Sequence, residues 1–131
     1  MIIFLPTYKR ITILPVVLQS ILSADTQGID ERLLILVHNN YWPAKDLVEK
    51  IVSTLSEGTL FSYMVIHRRE TLVPLDGWID AILSTAYEGE TIIILGDDDL
   101  LAPWGIRNRY REINRLDADF LLSDYVERVY F

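Results

Sequence analysis

Four short apolar runs recur along the chain, at Ile2 to Leu5, Leu33 to Val37, Leu60 to Ile66 and Thr91 to Leu95, and none alternates strictly with polar residues. A strand that is apolar on both sides must be covered on both faces. Parallel sheets meet that condition, because their crossover helices lie above and below the strands. The segments between the runs change period. Leu14, Val17, Leu18, Ile21 and Leu22 recur at helical spacing, which predicts a helix from about Ile11 to Ser23 with Pro15 in its first turn. Pro43 stands where a second helix would open, followed by a stripe of Leu47, Val48, Ile51, Val52 and Leu55 and closed by Gly58. Asp76 is placed to cap a third helix carrying Trp78, Ile79, Ile82 and Leu83 and running out at Gly89. Pro103 opens a fourth with Ile106, Tyr110 and Ile113, and Asp119 to Val129 reads as a final strand. Strand and helix in regular alternation, without hairpin signals, predict an α/β, Rossmann-like, mostly parallel sheet with helices on both faces.

No repeat, low-complexity tract or linker interrupts the pattern, so residues 1–131 read as a single domain. With half of its 131 residues hydrophobic, such a chain can bury a core without staples. It has no cysteine, which removes disulfides, thiolate metal sites and thiol nucleophiles together. Nineteen acidic against 12 basic residues give a net charge of −7, which argues against a broad nucleic-acid footprint. The apolar N-terminus lacks the basic region and cleavage site of a signal peptide, and no run approaches the ~20 residues of a membrane span. The expectation is a cytoplasmic protein with no transmembrane segment, for which peripheral membrane association stays open.

In open parallel sheets ligands bind beyond the carboxyl ends of the strands. Those ends carry Pro6-Thr7-Tyr8, His38-Asn39-Asn40 and Gly96-Asp97-Asp98-Asp99. Three adjacent carboxylates repel one another unless a cation sits among them. A hard divalent ion, Mg²⁺ or Mn²⁺, suits them, since it takes one or two carboxylate oxygens and bridges to phosphate. The alternative is a solvated turn, a common place for Asp.

These segments resemble a known family. Ile2-Ile3-Phe4-Leu5-Pro6-Thr7-Tyr8-Lys9-Arg10 is similar to the opening strand and Pro-Thr-Tyr-Asn-Arg turn of family-2 glycosyltransferases of the GT-A fold, the nucleotide-diphospho-sugar transferase type. Glu90 to Pro103 resembles their Asp-x-Asp segment with its following proline, and Gly77-Trp78 and Ala86 to Glu90 resemble the stretch that leads into it. The resemblance implies that Pro6, Thr7, Tyr8, Arg10, Asn39 and Asp97 bind the nucleotide. Tyr8 would pack on the base, Arg10 reach base or phosphates, and Asp97 meet the ribose. Asp98, then Asp99, would hold Mn²⁺ or Mg²⁺ on the diphosphate. The implied function is inverting transfer from a nucleotide-diphosphate sugar, most simply a UDP-sugar, to an acceptor hydroxyl on a sugar or lipid-linked sugar. The alternative is a non-catalytic nucleotide-binding or interaction module on the same fold.

The sequence also departs from the family. His38-Asn39-Asn40 stands in place of Asp-Asp-Gly, so an amide replaces the carboxylate that meets the base, and Ile79-Asp80 replaces an expected Asn. The acceptor-binding half that supplies the family's catalytic base is expected to be missing, so the catalytic residue is unassigned; Glu127 reads as an edge-strand residue. Each candidate has a structural counterpart reading. Thr7 and Tyr8 can simply turn the chain, Asn39 can be a left-handed turn residue, and His38 a hydrogen-bonded structural histidine. Trp78 reads as core, and Arg68-Arg69 as a solvated turn or a diphosphate contact. Another Mg²⁺-dependent phosphotransfer enzyme fits less well, because there is no glycine-rich phosphate loop and no Asp after the first strand.

Overall fold

A computed structural model describes residues 1–70 and 74–121. In chain order it contains β1 (Ile2–Thr7), α1 (Leu14–Leu22), β2 (Leu34–Asn39), a 3₁₀ turn (Trp42–Ala44), α2 (Lys45–Ser56), β3 (Ser62–His67), α3 (Pro74–Thr85), β4 (Ile92–Ile94) and α4 (Gly105–Arg115). The strands form one sheet in the order β3-β2-β1-β4, and every pairing is parallel. This is the α/β, Rossmann-like arrangement that the apolar runs require.

Both faces of the sheet are covered. Ile3, Leu5, Ile35 and Val37 face one way and pack with Leu14, Val17, Leu18 and Ile21 of α1, Val48 and Val52 of α2, and Ile106 of α4. Ile2, Phe4, Leu34 and Leu36 face the other way onto Ala81, Trp78 and Ile82 of α3. Trp78 meets the Phe4 ring edge-on at 6.0 Å between centroids, so it serves the core. Pro15 lies in the first turn of α1, where its missing N–H would have had no helical partner. Gly58, just past α2, has φ +73°, the left-handed conformation that ends helices.

Several boundaries differ from the sequence reading. β1 and β2 each run two residues past their apolar stretches, with Pro6 paired to His38 and Thr7 to Asn39. His38-Asn39 therefore continues the second strand rather than stopping it, because ladder bonds to β1 and β3 sustain extended backbone where the hydrophobic pattern has ended. Asp76 sits in the first turn of α3 rather than before it, and α3 ends at Thr85, with Gly89 (φ +77°) in the turn that follows. The second helix starts at Lys45, and Pro43 belongs to the 3₁₀ turn ahead of it. Of the expected final strand, residues 119–121 are irregular and the remainder, Glu127 included, lies outside the described residues.

Proline is rare inside sheets, and Pro6 is accommodated because β4 is short. Leu95 N–H bonds to Phe4 O at 3.0 Å, so Phe4 presents its backbone toward β4, and Pro6, two residues on, points the same way. The β1–β4 pairing ends at Phe4–Ile94. Pro6 thus lacks its N–H on the side where β4 has already departed, and no ladder bond is lost.

At the opposite, amino edge of the sheet a charge cluster ties β2, α3 and β4 together. Arg32 Nε and Nη2 each donate to Glu90 at 2.7 Å, Tyr87 N–H donates to the same carboxylate at 3.1 Å, and Arg32 Nη2 reaches Thr85 O at 2.9 Å. The Arg32 guanidinium also stacks 4.0 Å from the Tyr87 ring centroid. Chiefly through the Arg32 bonds, the Glu90 carboxyl is held down at about 2, against an ordinary value of 4.5. A carboxyl depressed by folding stabilises above its unfolded pKa, and that stability is lost as pH falls from about 4.5 toward 2. Glu90→Gln is expected to cost roughly 2 kcal/mol at pH 7. Denaturant titrations of the two proteins should converge as the pH is lowered through that window.

Candidate functional site

The strand order reverses direction beside β1. The chain steps from β1 to β2 to β3 on one side, then crosses back to lay β4 on the other. A crevice opens at the carboxyl end of such a switch point, because the two connections leave in opposite directions. In this sheet that switch point falls between the exits of β1 and β4, and residues of the two exits meet there.

Tyr8 N–H approaches Asp97 Oδ2 at 3.4 Å. Arg10 Nη1 lies 3.4 Å from Asp97 Oδ1 and also pairs with Asp98 Oδ2, so one guanidinium spans two of the three aspartates. Lys9, between Tyr8 and Arg10, has φ +61°, a left-handed conformation uncommon outside glycine. That turn lets two successive side chains leave β1 for different sides of the exit: Arg10 goes to the aspartates, while Lys9 Nζ sits 5.1 and 5.3 Å from the rings of Tyr8 and Tyr41. After β4, Asp99 N–H bonds to Gly96 O at 3.1 Å and closes a tight turn. A Cβ on Gly96 would lie 2.7 Å from Asp99 Oδ2 and 3.2 Å from Asp98 Oδ1, so the absence of a side chain there lets both carboxylates fold over the turn.

Tyr8, Arg10, Asp97 and Asp98 are therefore brought together, with Pro6, Thr7 and Asp99 adjacent to them along the chain. Thr7 is buried, and its Oγ1 has no partner among the described residues. Asn39 is placed differently. Its side chain is fully buried, Oδ1 accepts from Tyr41 N–H at 3.1 Å, and Nδ2 donates to Tyr41 O and to His67 Nδ1, each at 3.1 Å. Asn39 is a strand residue that shapes the Asn39–Tyr41 turn, which corrects its reading as a left-handed turn residue; its amide is taken up by Tyr41 and His67. Its effect on the crevice is indirect: it fixes Tyr41, whose ring meets that of Tyr8 edge-on at 5.9 Å. Tyr41 was not singled out from sequence, although an aromatic directly after a strand end was the available signal.

A second polar chain runs beneath the same edge. Arg68 Nε donates to His38 Nε2 at 3.1 Å, and the Arg68 guanidinium pairs with Asp80 of α3. Arg68 thus faces neither solvent alone nor the crevice. His38 is a buried, hydrogen-bonded histidine, with Nε2 accepting from Arg68 and the proton on Nδ1, which has no partner among the described residues. Burial, reinforced by the Arg68 charge and opposed by Asp80, pushes the His38 pKa below 6.5. His67 bonds Glu49 through Nε2 at 3.0 Å, consistent with Nδ1 accepting from Asn39. Arg69 Cζ lies 4.8 Å from the Trp42 ring, outside the crevice, and Trp104 is exposed.

As for a divalent cation, no group of three or more His, Asp or Glu side chains is arranged to hold a metal among the described residues. The Asp97–Asp98 pair nonetheless already accepts one cation, that of Arg10. Two carboxylates suit an ion whose other ligands are water and phosphate. No helix among the described residues is long and apolar enough to cross a membrane. No protein-family model and no curated protein matches the chain.

A group whose pKa is lowered by folding binds protons more readily in the unfolded chain, so His38 should make stability fall as pH drops below 6.5. The ring is expected to titrate below that value when followed by NMR. Between pH 6.5 and about 5, before most carboxylates titrate, His38→Gln should flatten the decline in melting temperature; an unchanged slope would count against this origin.

Proposed function

We propose that this chain is a nucleotide-sugar-binding domain of the glycosyltransferase type with a GT-A-like fold. The observation that carries the reading is the meeting of Tyr8 and Arg10 with Asp97 and Asp98 at the β1/β4 switch point, the place where parallel α/β sheets take ligands. The half-exposed Tyr8 ring, braced by Tyr41, offers a face to a base. Asp97 Oδ2 and Tyr8 N–H offer an acceptor and a donor to a ribose, and Arg10 supplies a fork for phosphate oxygens. Asp98, with Asp97 or Asp99 beside it, would hold Mn²⁺ or Mg²⁺. When bound, such an ion offsets the charge of a departing diphosphate. The donor on this reading is a UDP-sugar, and the acceptor a sugar or lipid-linked hydroxyl.

A second reading keeps the pocket without transfer. It is favoured by the engagement of Asp97 and Asp98 with Arg10, which leaves neither of them a free base in this state.

Calorimetric titration with UDP is expected to show binding that strengthens when Mn²⁺ is added; heats that are absent, or identical with and without Mn²⁺, would exclude the metal-bridged pocket. Asp98→Ala should remove the Mn²⁺-dependent gain. Because Asp98 is more than half exposed, its loss should shift stability by no more than about 0.5 kcal/mol. A large loss of stability would favour a purely structural turn. Acceptor-dependent release of UDP from a UDP-sugar separates the transferase from the binding module.

A further inference from the structure

On the other flank of β1, the exits of the adjacent strands β1, β2 and β3 carry a row of cations that take no part in the β1/β4 site. Lys9 Nζ lies over the Tyr8 and Tyr41 rings, while Lys45 Nζ and Arg69 Cζ lie 4.9 and 4.8 Å from the Trp42 ring centroid. Tyr41 and Trp42 are neighbours in the chain, so the row is continuous. Lys9 and Arg69 are exposed and have no carboxylate partner among the described residues. Lys45 has Asp46 Oδ1 at 3.6 Å, on a side chain that is 94% exposed, which makes a weak pair. A ring face steadies a cation without consuming its N–H donors, so those donors stay available. The helix α2 begins at Lys45, and no side chain caps its first turn. A lysine at that end opposes the helix dipole, and an anion beside it would satisfy both. Lys9 is brought onto the tyrosines by its left-handed backbone, which a non-glycine residue adopts only at a cost.

We infer that Lys9, Lys45 and Arg69, with Trp42 beneath two of them and the start of α2 beside them, form a second binding surface for an oxyanion, which holds the charged group of an anionic acceptor sugar. The oxyanion surface follows from these residues alone; its assignment to an acceptor rests on the proposed function. Arg69 offers a planar fork to phosphate or carboxylate, and the two lysines act as point charges. Tyr41 and Trp42 offer apolar surface to a sugar ring. A long polyanion suits the row less well, because carboxylates bound it. Asp46 and Glu49 stand at one end, and beyond Tyr8 the other end meets Asp97. The ligand is therefore a small molecule with one anionic group.

Calorimetric titration of the full chain with glucose 6-phosphate, glucuronate, glucose and oligothymidylate tests the surface. Glucose 6-phosphate, glucuronate or both should bind, with an affinity that falls as salt is raised, and glucose should not. The tighter of the two identifies the anion. Arg69→Ala should weaken that binding roughly five- to tenfold, as expected for loss of one charge-assisted contact. Lys9→Gly, which keeps the left-handed turn but removes the ammonium, should act likewise, whereas Lys50→Ala, an exposed lysine farther along α2, should leave binding unchanged. Binding that survives the first two substitutions, or that Lys50→Ala weakens equally, is diffuse attraction to positive charge and overturns the site. Oligothymidylate bound more tightly than either sugar anion overturns the saccharide assignment. Displacement of the sugar anion by UDP with Mn²⁺ would put the anion in the nucleotide site and overturn the second surface. Mn²⁺-dependent UDP binding without sugar-anion binding removes this inference and leaves the nucleotide reading intact. Sugar-anion binding without UDP binding keeps the surface and removes the transferase reading.

Discussion

Pro6 has no amide hydrogen to give, and the side of β1 on which it would lie is the side that β4 leaves after Ile94. The rest of the carboxyl edge follows from that short pairing. Had β4 continued beside β1, its backbone would have filled the gap and a proline in β1 would have broken the ladder. Because it departs early, Gly96 to Asp99 turns back over the exit of β1, and Tyr8 N–H and Arg10 meet carboxylates instead of a neighbouring strand. On the other side β1 keeps its pairing with β2 to Thr7–Asn39, and Asn40 N–H adds a bond to Thr7 O at 3.0 Å. One flank of β1 is rigid to its end and the other is open.

The two charge clusters at opposite edges illustrate how burial decides what an ion pair does. Glu90 is almost wholly buried, with Arg32 bidentate upon it and a backbone N–H besides, so its charge cannot be left unpaired without a large penalty. It fastens the start of β4 to β2 and the end of α3. Arg10, Asp97 and Asp98 form a pair of the other kind. Water screens Arg10 and Asp98, which are more than half exposed, and little stability depends on that contact, although Asp97 is mostly buried. The cluster that holds the sheet together and the cluster at the strand exits thus lie at opposite edges.

The fold was largely legible in the sequence because runs such as Leu34 to Val37 are apolar on both sides, and only a sheet covered on both faces satisfies such a run. The strand ends were less legible for a related reason. His38 and Asn39 look like a stop when read for hydrophobicity, but backbone pairing to two neighbours holds them extended, and burial is then met by side-chain bonds to Arg68, Tyr41 and His67. Those partners are 2 to 30 residues away, and only the 2-residue one is visible locally. The same is true of the site. Asp97 to Asp99 announces itself, as does the turn from Pro6 to Tyr8. That Arg10 would span two of the aspartates depends on the strand order and on a left-handed residue at Lys9, neither of which any local pattern specifies.

The buried amide at Asn39 shows how the crevice can be shaped by a residue that does not line it. A carboxylate in its place would keep the acceptor for Tyr41 N–H, but would turn a second acceptor toward Tyr41 O and remove the N–H now given to His67 Nδ1. Two acceptors would then face each other in a buried setting, which is costly. The amide, with one acceptor and two donors, satisfies all three contacts at once. Through Tyr41 it sets the ring against which Tyr8 rests, next to the backbone N–H that Tyr8 gives to Asp97. The neutral amide at this position therefore acts on the Tyr8–Tyr41 contact by fixing Tyr41 rather than by reaching the strand exits itself.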